Sequence, residues 1–228
     1  MAKFCTNCGK ELKEGEVCSC KANGADNIGT ALLEIGKGMF THPVTTIKTY
    51  AKEQTFGVAL ILIGVMSLLT AVFSIALLKG VEDIISSIYS SLIGGLSLGT
   101  MDANLPYART FFTTWIMMVA LAFVFAGLLY LVNTVMFKGK ANFKTIFSLY
   151  GTVSVISSAA LILGSILMFI HVGLGILAMA LGSMLQMVYL YHGLKTVGPE
   201  DENKYGYIYL VTNVFYMLVI FIVCKIFM

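Results

Sequence analysis

Charged side chains are scarce in this chain. They make up 12% of its 228 residues, whereas hydrophobic residues make up 58%. A typical soluble domain is about 25% charged and about 45–50% apolar. The mean hydropathy is +0.87, and the apolar residues fall in blocks of about 20, the length that crosses a bilayer core of roughly 30 Å. Because a soluble helical core would show shorter stripes with a polar face, the composition predicts an integral membrane protein.

Three further features are missing from the sequence. Lysine and arginine are scattered rather than clustered, so no nucleic-acid partner is expected. The first 54 residues are polar, so we expect no cleavable secretory signal, and the first span must direct the chain to the membrane. No Asp, Glu, Lys or Arg lies within the apolar blocks before Lys225, and His171 and His192 fall at span ends. Since buried membrane charges mark transport and catalytic sites, the sequence predicts that the protein is not an enzyme.

Long apolar stretches predict an all-α protein with a bundle of five transmembrane helices. The stretch from Thr145 to Leu194 is too long for one helix at about 1.5 Å per residue, and we divide it at His171-Val172-Gly173. Aromatic residues flank several spans and are expected at the membrane interface, among them Tyr205, Tyr207 and Tyr209 at the start of the fifth. The five predicted spans are about 56–78, 111–137, 145–170, 172–194 and 207–227, within a domain of residues 56–228.

Three segments outside the spans have weaker patterns. Residues 23–37 are predicted to form a linker on their glycine, asparagine and aspartate content. Residues 38–55 are predicted to form a juxtamembrane amphipathic helix that begins near Pro43, although an extension of the first span fits equally. Residues 79–109 are expected to form an amphipathic surface helix from Val81, followed by a glycine-containing loop. A re-entrant segment is disfavoured there, because lipid does not tolerate exposed irregular backbone.

The distribution of lysine predicts the orientation of the bundle. Lys37, Lys48 and Lys52 precede the first span, and the loop 138–144 between the second and third spans carries three lysines. With five spans these two segments lie on the same side, which the positive-inside rule assigns to the cytosol. The chain is therefore predicted to be a multi-pass protein of the cell membrane, with its N-terminus cytosolic and its C-terminus outside.

Four of the five cysteines lie within the first 22 residues, at Cys5, Cys8, Cys18 and Cys20. Clustered cysteines in a chain without a secretory signal indicate metal ligands rather than disulfides. Cys5 and Cys8 can both bind one tetrahedral ion, and Gly9 permits the tight turn that follows them. We therefore predict a structural Zn²⁺ bound by all four thiolates in a ribbon of residues 1–22. A disordered, metal-free tail and a redox pair are the alternatives.

The segment Phe4-Cys5-Thr6-Asn7-Cys8-Gly9 resembles the first half of short zinc ribbons. Its second half departs from that pattern, because one residue rather than two separates Cys18 from Cys20. A four-sulfur site remains geometrically feasible with this spacing. Since protein would fill all four positions, an open catalytic zinc is not expected.

Small and polar residues within the spans indicate how the helices pack. Three pairs of small residues at four-residue spacing predict close approach of helices: Ala122/Ala126, Ala160/Gly164 and Ala178/Gly182. The polar inventory consists of Asn133, Gln186, Asn213 and the stripe Thr152, Ser154, Ser157 and Ser158. Hydrogen bonding between helices is the favoured account of these residues, and a polar path for a substrate is the alternative.

Two short motifs resemble the Yip family of five-span membrane proteins. They are Phe40-Thr41-His42-Pro43 before the first span and Phe137-Lys138-Gly139-Lys140-Ala141-Asn142-Phe143-Lys144, which leads into Leu149-Tyr150-Gly151-Thr152. Eukaryotic members act in vesicle traffic with small GTPases of the Rab type. A ribbon fused to such a domain looks like a bacterial arrangement, which implies a bacterial inner membrane. The bacterial members carry no function that the resemblance transfers.

The leading hypothesis is a non-enzymatic membrane scaffold or adaptor. The bilayer surrounds its helices, the zinc ribbon binds a cytosolic protein partner, and a homo-oligomer is an assembly that the sequence leaves open. The alternative is a transporter or channel component that uses polar residues of the third to fifth spans, with Gln186, Asn213 and the stripe Thr152–Ser158 along its path.

Overall fold

The computed structural model describes residues 3–4, 11–12, 28–92, 107–199, 201 and 203–227. Seven α-helices lie in these ranges: α1 (Ile28–Thr41), α2 (Pro43–Tyr50), α3 (Phe56–Leu92), α4 (Tyr107–Leu131), α5 (Phe143–Met168), α6 (Val172–Val197) and α7 (Lys204–Phe227). A 3₁₀ turn (Glu53–Thr55) precedes α3, and a π-helical turn (Val132–Met136) ends α4. Two short strands, β1 (Lys3–Phe4) and β2 (Glu11–Leu12), pair antiparallel with Lys3 opposite Leu12.

The prediction of five spanning helices is confirmed for the residues that the structure describes. The helices that are long and apolar enough to cross a membrane cover Phe56–Ile88, Tyr107–Met136, Phe143–Met168, Val172–Val197 and Lys204–Val223. The predicted hairpin between the third and fourth spans is also present. His171 lies at the turn of this hairpin. It caps the start of α6, because its Nδ1 accepts a hydrogen bond from the Gly173 backbone N–H at 3.0 Å.

Helix α5 is the centre of the bundle. It contacts α3, α4 and α6 as well as the short helices α1 and α2, and more of its span is buried than that of any other span. Phe147 and Leu149 are fully buried, and the Phe147 ring contacts Phe56 and Phe123 with ring centroids 5.0 and 4.8 Å apart. The third span therefore positions α3, α4 and α6, whereas α7 packs against α4 and α6.

Close packing of helices at small residues is confirmed. Gly182 of α6, a predicted residue, packs directly against Ala160 of α5. Gly151 of α5 was not among the predicted pairs, but an added Cβ there would lie 2.5 Å from Ala59 Cβ and 2.7 Å from Ala59 Cα. A Cβ at Gly164 would lie 2.9 Å from the Gly175 carbonyl oxygen. Backbones approach this closely only where the side chain is absent or very small, so these glycines set the distances from α5 to α3 and to α6.

The linker predicted for residues 23–37 is wrong from residue 28 onward, where α1 begins. Ala31, Ile35 and Met39 recur every four residues and are buried, so they form one face of a helix. Glycine content indicated a linker because Gly is a weak helix former, but burial of this face against the bundle outweighs that preference. Residues 23–27 of the predicted linker lie outside the described residues.

Helix α1 is held against α2 by a hydrogen bond between side chains. The Tyr50 hydroxyl donates to Glu34 Oε2 at 2.5 Å. Burial, together with the hydrogen bond and charge of Glu34, raises the pKa of Tyr50 to about 12. Ala51 and the turn Glu53–Thr55 then separate α2 from α3. The segment before the first span is thus a separate helix that folds back onto the bundle with α1.

The separate surface helix predicted from Val81 is also wrong, because α3 continues without a break from Phe56 to Leu92. Its 37 residues span about 55 Å at 1.5 Å per residue. Gly80 packs against Val172, where an added Cβ would lie 2.5 Å from Cγ2. A single glycine is tolerated within a helix, and no proline interrupts it. Residues 93–106, which fall in the predicted glycine-containing loop, lie outside the described residues, and residues 107–109 of that segment belong to α4.

Candidate functional site

A polar cavity lies inside the membrane bundle, where α4, α5, α6 and α7 meet. Its volume is about 140 Å³. Its lining residues are Phe125, Tyr150, Ser183, Gln186, Met187, Leu190, Tyr209, Asn213 and Tyr216. Phe125 and Leu190 are buried and Met187 is 46% exposed, so the cavity has a closed inner side and a rim at the bundle surface.

Gln186 of α6 is the best-anchored polar group of the cavity. The Ser157 hydroxyl of α5 donates a hydrogen bond to Gln186 Oε1, and the Tyr150 hydroxyl also hydrogen-bonds with the Gln186 side chain. Tyr150 and Ser157 are seven residues apart, so they lie on one face of α5. The third span thus holds the amide of the fourth span from two points.

Helix α7 supplies the opposite wall of the cavity. Asn213 Nδ2 donates to the Tyr209 carbonyl at 2.8 Å, one turn earlier in the same helix. The Tyr216 ring packs against Phe125 with centroids 5.1 Å apart and an interplanar angle of 80°. Phe125 also contacts the Tyr150 ring at 5.1 Å. The edge-to-face contact between Phe125 and Tyr216 is a favoured geometry for aromatic pairs, and these rings join three helices around the polar groups.

The cavity lies within the part of the bundle nearer the loop at 137–142. Tyr150 is seven residues into α5 and Asn213 nine residues into α7, which places them about 10 and 14 Å along their helices. None of the residues lining the cavity is an acid, a base or a histidine. Its phenol hydroxyls, amides and serine hydroxyl both donate and accept hydrogen bonds. This chemistry suits a small uncharged ligand with several polar atoms.

Sequence reasoning found part of this site. It singled out Gln186 and Asn213, which line one cavity. It also singled out Thr152–Ser158, but these residues do not line it: Ser154 donates to the Gly151 carbonyl and Ser158 to the Ser154 carbonyl. Only Ser157 of that stripe contacts the cavity wall, through Gln186.

The tyrosines of the cavity were missed or misassigned. Tyr209 was predicted at the membrane interface but lines the cavity, as do Tyr150 and Tyr216. A buried tyrosine hydroxyl usually has a hydrogen-bond partner. A tyrosine within an apolar span is therefore a sequence signal for a polar site, and it could have identified Tyr150 and Tyr216. Asn133, the remaining polar residue, is fully buried in the π-helical turn, and its side-chain atoms have no partner among the described residues.

The predicted zinc ligands Cys5, Cys8, Cys18 and Cys20 lie outside the described residues. The described strands β1 and β2 flank residues 5–10, which contain the first cysteine pair. Within the ranges that the structure describes, no group of three or more His, Cys, Asp or Glu residues could hold a metal ion.

Residues 37–224 match the family model of the Yip1 domain. The matched range begins within α1, takes in all of α2 to α6 and ends within α7. No curated protein and no solved structure matched the chain.

Proposed function

Because the chain belongs to the Yip1 domain family, which it matches over residues 37–224, we propose that it is a multi-pass membrane adaptor whose N-terminal ribbon binds a cytosolic protein. The family match begins after the cysteine-rich segment of residues 1–22. That segment therefore lies outside the matched family domain. A cysteine-rich segment outside the matched domain is the observation that supports an adaptor role.

The residues of the first 22 positions fit a structural zinc site. Four thiols provide the donor set of a closed tetrahedral zinc, and the paired strands β1 and β2 hold the two ends of the segment that contains Cys5 and Cys8 close together. Bound zinc would supply folding free energy to a segment too short to build a core. The ribbon would then present a rigid surface to its partner.

The cytosolic location of the ribbon is part of the proposal. Five exposed lysines lie near helix ends on the side of the bundle where α3 begins: Lys48, Lys52, Lys138, Lys140 and Lys144. Lysine-rich ends face the cytosol in bacterial and other cell membranes. A reducing compartment also keeps thiols available for metal. Both considerations favour a cytosolic N-terminus in the cell membrane, with the C-terminus outside.

Partner binding is tested by crosslinking the full chain in its native membranes, followed by purification and identification of the attached proteins. We expect a defined cytosolic protein with the wild type and its loss by at least about tenfold, equal to about 1.4 kcal/mol, in Cys5→Ser/Cys8→Ser. The matched control is Cys224→Ser, which leaves the ribbon intact. The same attached proteins for all three chains, or none for the wild type, would contradict the adaptor role.

The polar cavity supports a second function, the passage or binding of a small uncharged solute. Gln186 and Asn213 come from different spans and line one cavity with three tyrosines. Ser157 bonds the Gln186 Oε1, and the Tyr209 carbonyl accepts from Asn213 Nδ2, but each amide has further donor and acceptor capacity. The cavity leaves room of about 140 Å³ beside these side chains.

Solute passage is tested with the purified chain in liposomes, using stopped-flow measurement of glycerol entry. We expect entry above that of empty liposomes for the wild type and a loss of most of it in Gln186→Leu and Asn213→Leu, because leucine removes the hydrogen-bonding groups. Thr70→Val is the matched control, since Thr70 bonds only the Met66 carbonyl of its own helix. Equal entry for all chains would exclude glycerol passage through this cavity.

A further inference from the structure

A second concavity, wholly different in character, runs along the outer face of α5 and α6. Its volume is about 470 Å³. Leucines, alanines and other apolar residues line it almost throughout: Met39, Phe40, Ile156, Ala159, Ala160, Leu163, Leu167, Leu174, Leu177, Ala178, Leu181, Gly182, Leu185 and Tyr189. We call it the α5–α6 groove. It does not share a residue with the polar cavity.

The shape of the α5–α6 groove follows from the close approach of its two helices. Its floor consists of small residues at the point where Ala160 meets Gly182, and its walls are leucines that project on either side. Leu174 and Tyr189 mark its two ends along α6, 15 positions apart, or about 22 Å. This exceeds the roughly 15 Å of hydrocarbon in one leaflet. The groove is thus long and narrow.

The groove faces the hydrocarbon of the bilayer over most of its length. Both helices are long and apolar enough to cross the membrane, and the wall residues Leu163, Leu177 and Leu181 are 52–54% exposed. An empty groove in this position would forfeit dispersion contacts on every wall. A flexible chain of methylene groups can follow such a surface and restore those contacts.

The inner end of the groove has the features of a headgroup site. Met39 and Phe40 of α1 close this end, beside Tyr189. Lys37 lies one turn before Phe40, hence on the same side of α1, and it is exposed. The nearest carboxylate on α1, Glu34, is engaged with the Tyr50 hydroxyl. A positive charge therefore stands beside the end of the apolar groove, at the boundary of the bundle that the proposed orientation assigns to the cytosol.

We propose that the α5–α6 groove binds one acyl chain of an anionic phospholipid of the cytosolic leaflet, with its phosphate near Lys37. Lysine attracts lipid phosphates at this boundary. A second copy of the chain fits less well. A spanning helix laid in the groove would continue past its inner end, where α1 blocks the way with Met39 and Phe40. A lipid chain ends there at its headgroup.

The proposal is tested by native mass spectrometry of the full chain in mild detergent, with phosphatidylglycerol or phosphatidylcholine added. We expect the wild type to retain one phosphatidylglycerol, and Ala178→Phe and Ala159→Phe, which fill the floor from opposite helices, to lower its retention by about tenfold. Lys37→Gln should remove the preference for phosphatidylglycerol over phosphatidylcholine. Ala120→Phe is the matched control, because Ala120 is exposed on α4 outside the groove.

Two results would overturn the proposal. Equal retention of phosphatidylglycerol by the wild type and both groove-filling variants would show that the acyl chain of the lipid binds outside the groove. A change in the proportion of dimer in those variants, with lipid retention unchanged, would assign the groove to contact between copies. Thermal unfolding of each variant confirms that it is folded, and the two floor variants on separate helices make a shared folding defect easy to recognise.

Discussion

Serine at Cys5 and Cys8 is expected to lower the zinc content of the purified chain from about one ion per chain to none. A structural zinc needs four protein ligands, and this variant leaves only Cys18 and Cys20 within the ribbon. Two thiolates cannot close a tetrahedral site, so the ion is lost during purification. The measurement is elemental analysis of full chain purified without chelators, with Cys224→Ser as the matched control.

A second pair of substitutions tests the less regular half of the ribbon. Cys18 and Cys20 are separated by a single residue, which departs from the usual spacing of zinc ribbons. If Cys18→Ser/Cys20→Ser also removes the zinc, all four sulfurs are ligands. Zinc retained in that variant would mean that other groups complete the site. A wild type without zinc would contradict the ribbon itself and remove the basis for a folded partner-binding module.

Alanine at Gly151 is expected to cause a clear loss of stability of the bundle. The added Cβ would lie 2.5–2.9 Å from the Cβ, Cα and carbonyl oxygen of Ala59. Two of these are backbone atoms, which cannot move aside as a flexible side chain would. Helices α3 and α5 must therefore separate, and overpacking of this kind costs about 1–3 kcal/mol. Thermal unfolding in detergent measures the effect as a lower midpoint temperature.

Gly64→Ala is the matched control for this prediction. Gly64 lies in α3, and an added Cβ there meets no atom within 4 Å. Alanine has a higher helix propensity than glycine by about 1 kcal/mol, so this variant should be as stable as the wild type or more stable. Equal midpoint temperatures for Gly151→Ala and the wild type would show that α3 and α5 are not in close contact at Gly151.

The packing at Gly151 also affects the polar cavity, through the residue that precedes it. Tyr150 precedes it in α5 and lines the cavity, where it hydrogen-bonds with Gln186. The same turn of helix thus packs Gly151 against α3 and directs Tyr150 toward α6 and α7. A close contact between backbones on one side of α5 therefore determines where the tyrosine stands on the other side.

Membrane class and the number of spans were predictable because they depend on local properties of the chain. A run of about 20 apolar residues can cross the bilayer whatever its neighbours are. The hairpin at His171 was predictable for a similar reason, since Thr145–Leu194 exceeds the length of one span. Small residues that permit close packing, such as Ala160 and Gly182, could also be identified, but neither the role of Gly151 nor its contact with Ala59 could.

The errors of prediction occurred where contacts between distant segments decide the structure. Residues 28–37 contain glycines and were predicted as a linker, yet burial of Ile35 and Met39 against the bundle makes them helical. The segment after Val81 has an amphipathic pattern that suits a surface helix. It nevertheless continues α3, with Gly80 in close contact with Val172 of α6. Neither contact can be read from the pattern of its own segment.

The amino-acid sequence by itself determined that this protein is embedded in a membrane through five helices and carries a cluster of thiols suited to zinc. Those properties follow from residue type and spacing within single segments. Only the tertiary structure decided that Gln186 and Asn213 share a cavity with Tyr150, and that Phe40 closes the end of an apolar groove. These sites combine residues from different helices, and their assembly depends on how helices pack at small residues across the whole bundle.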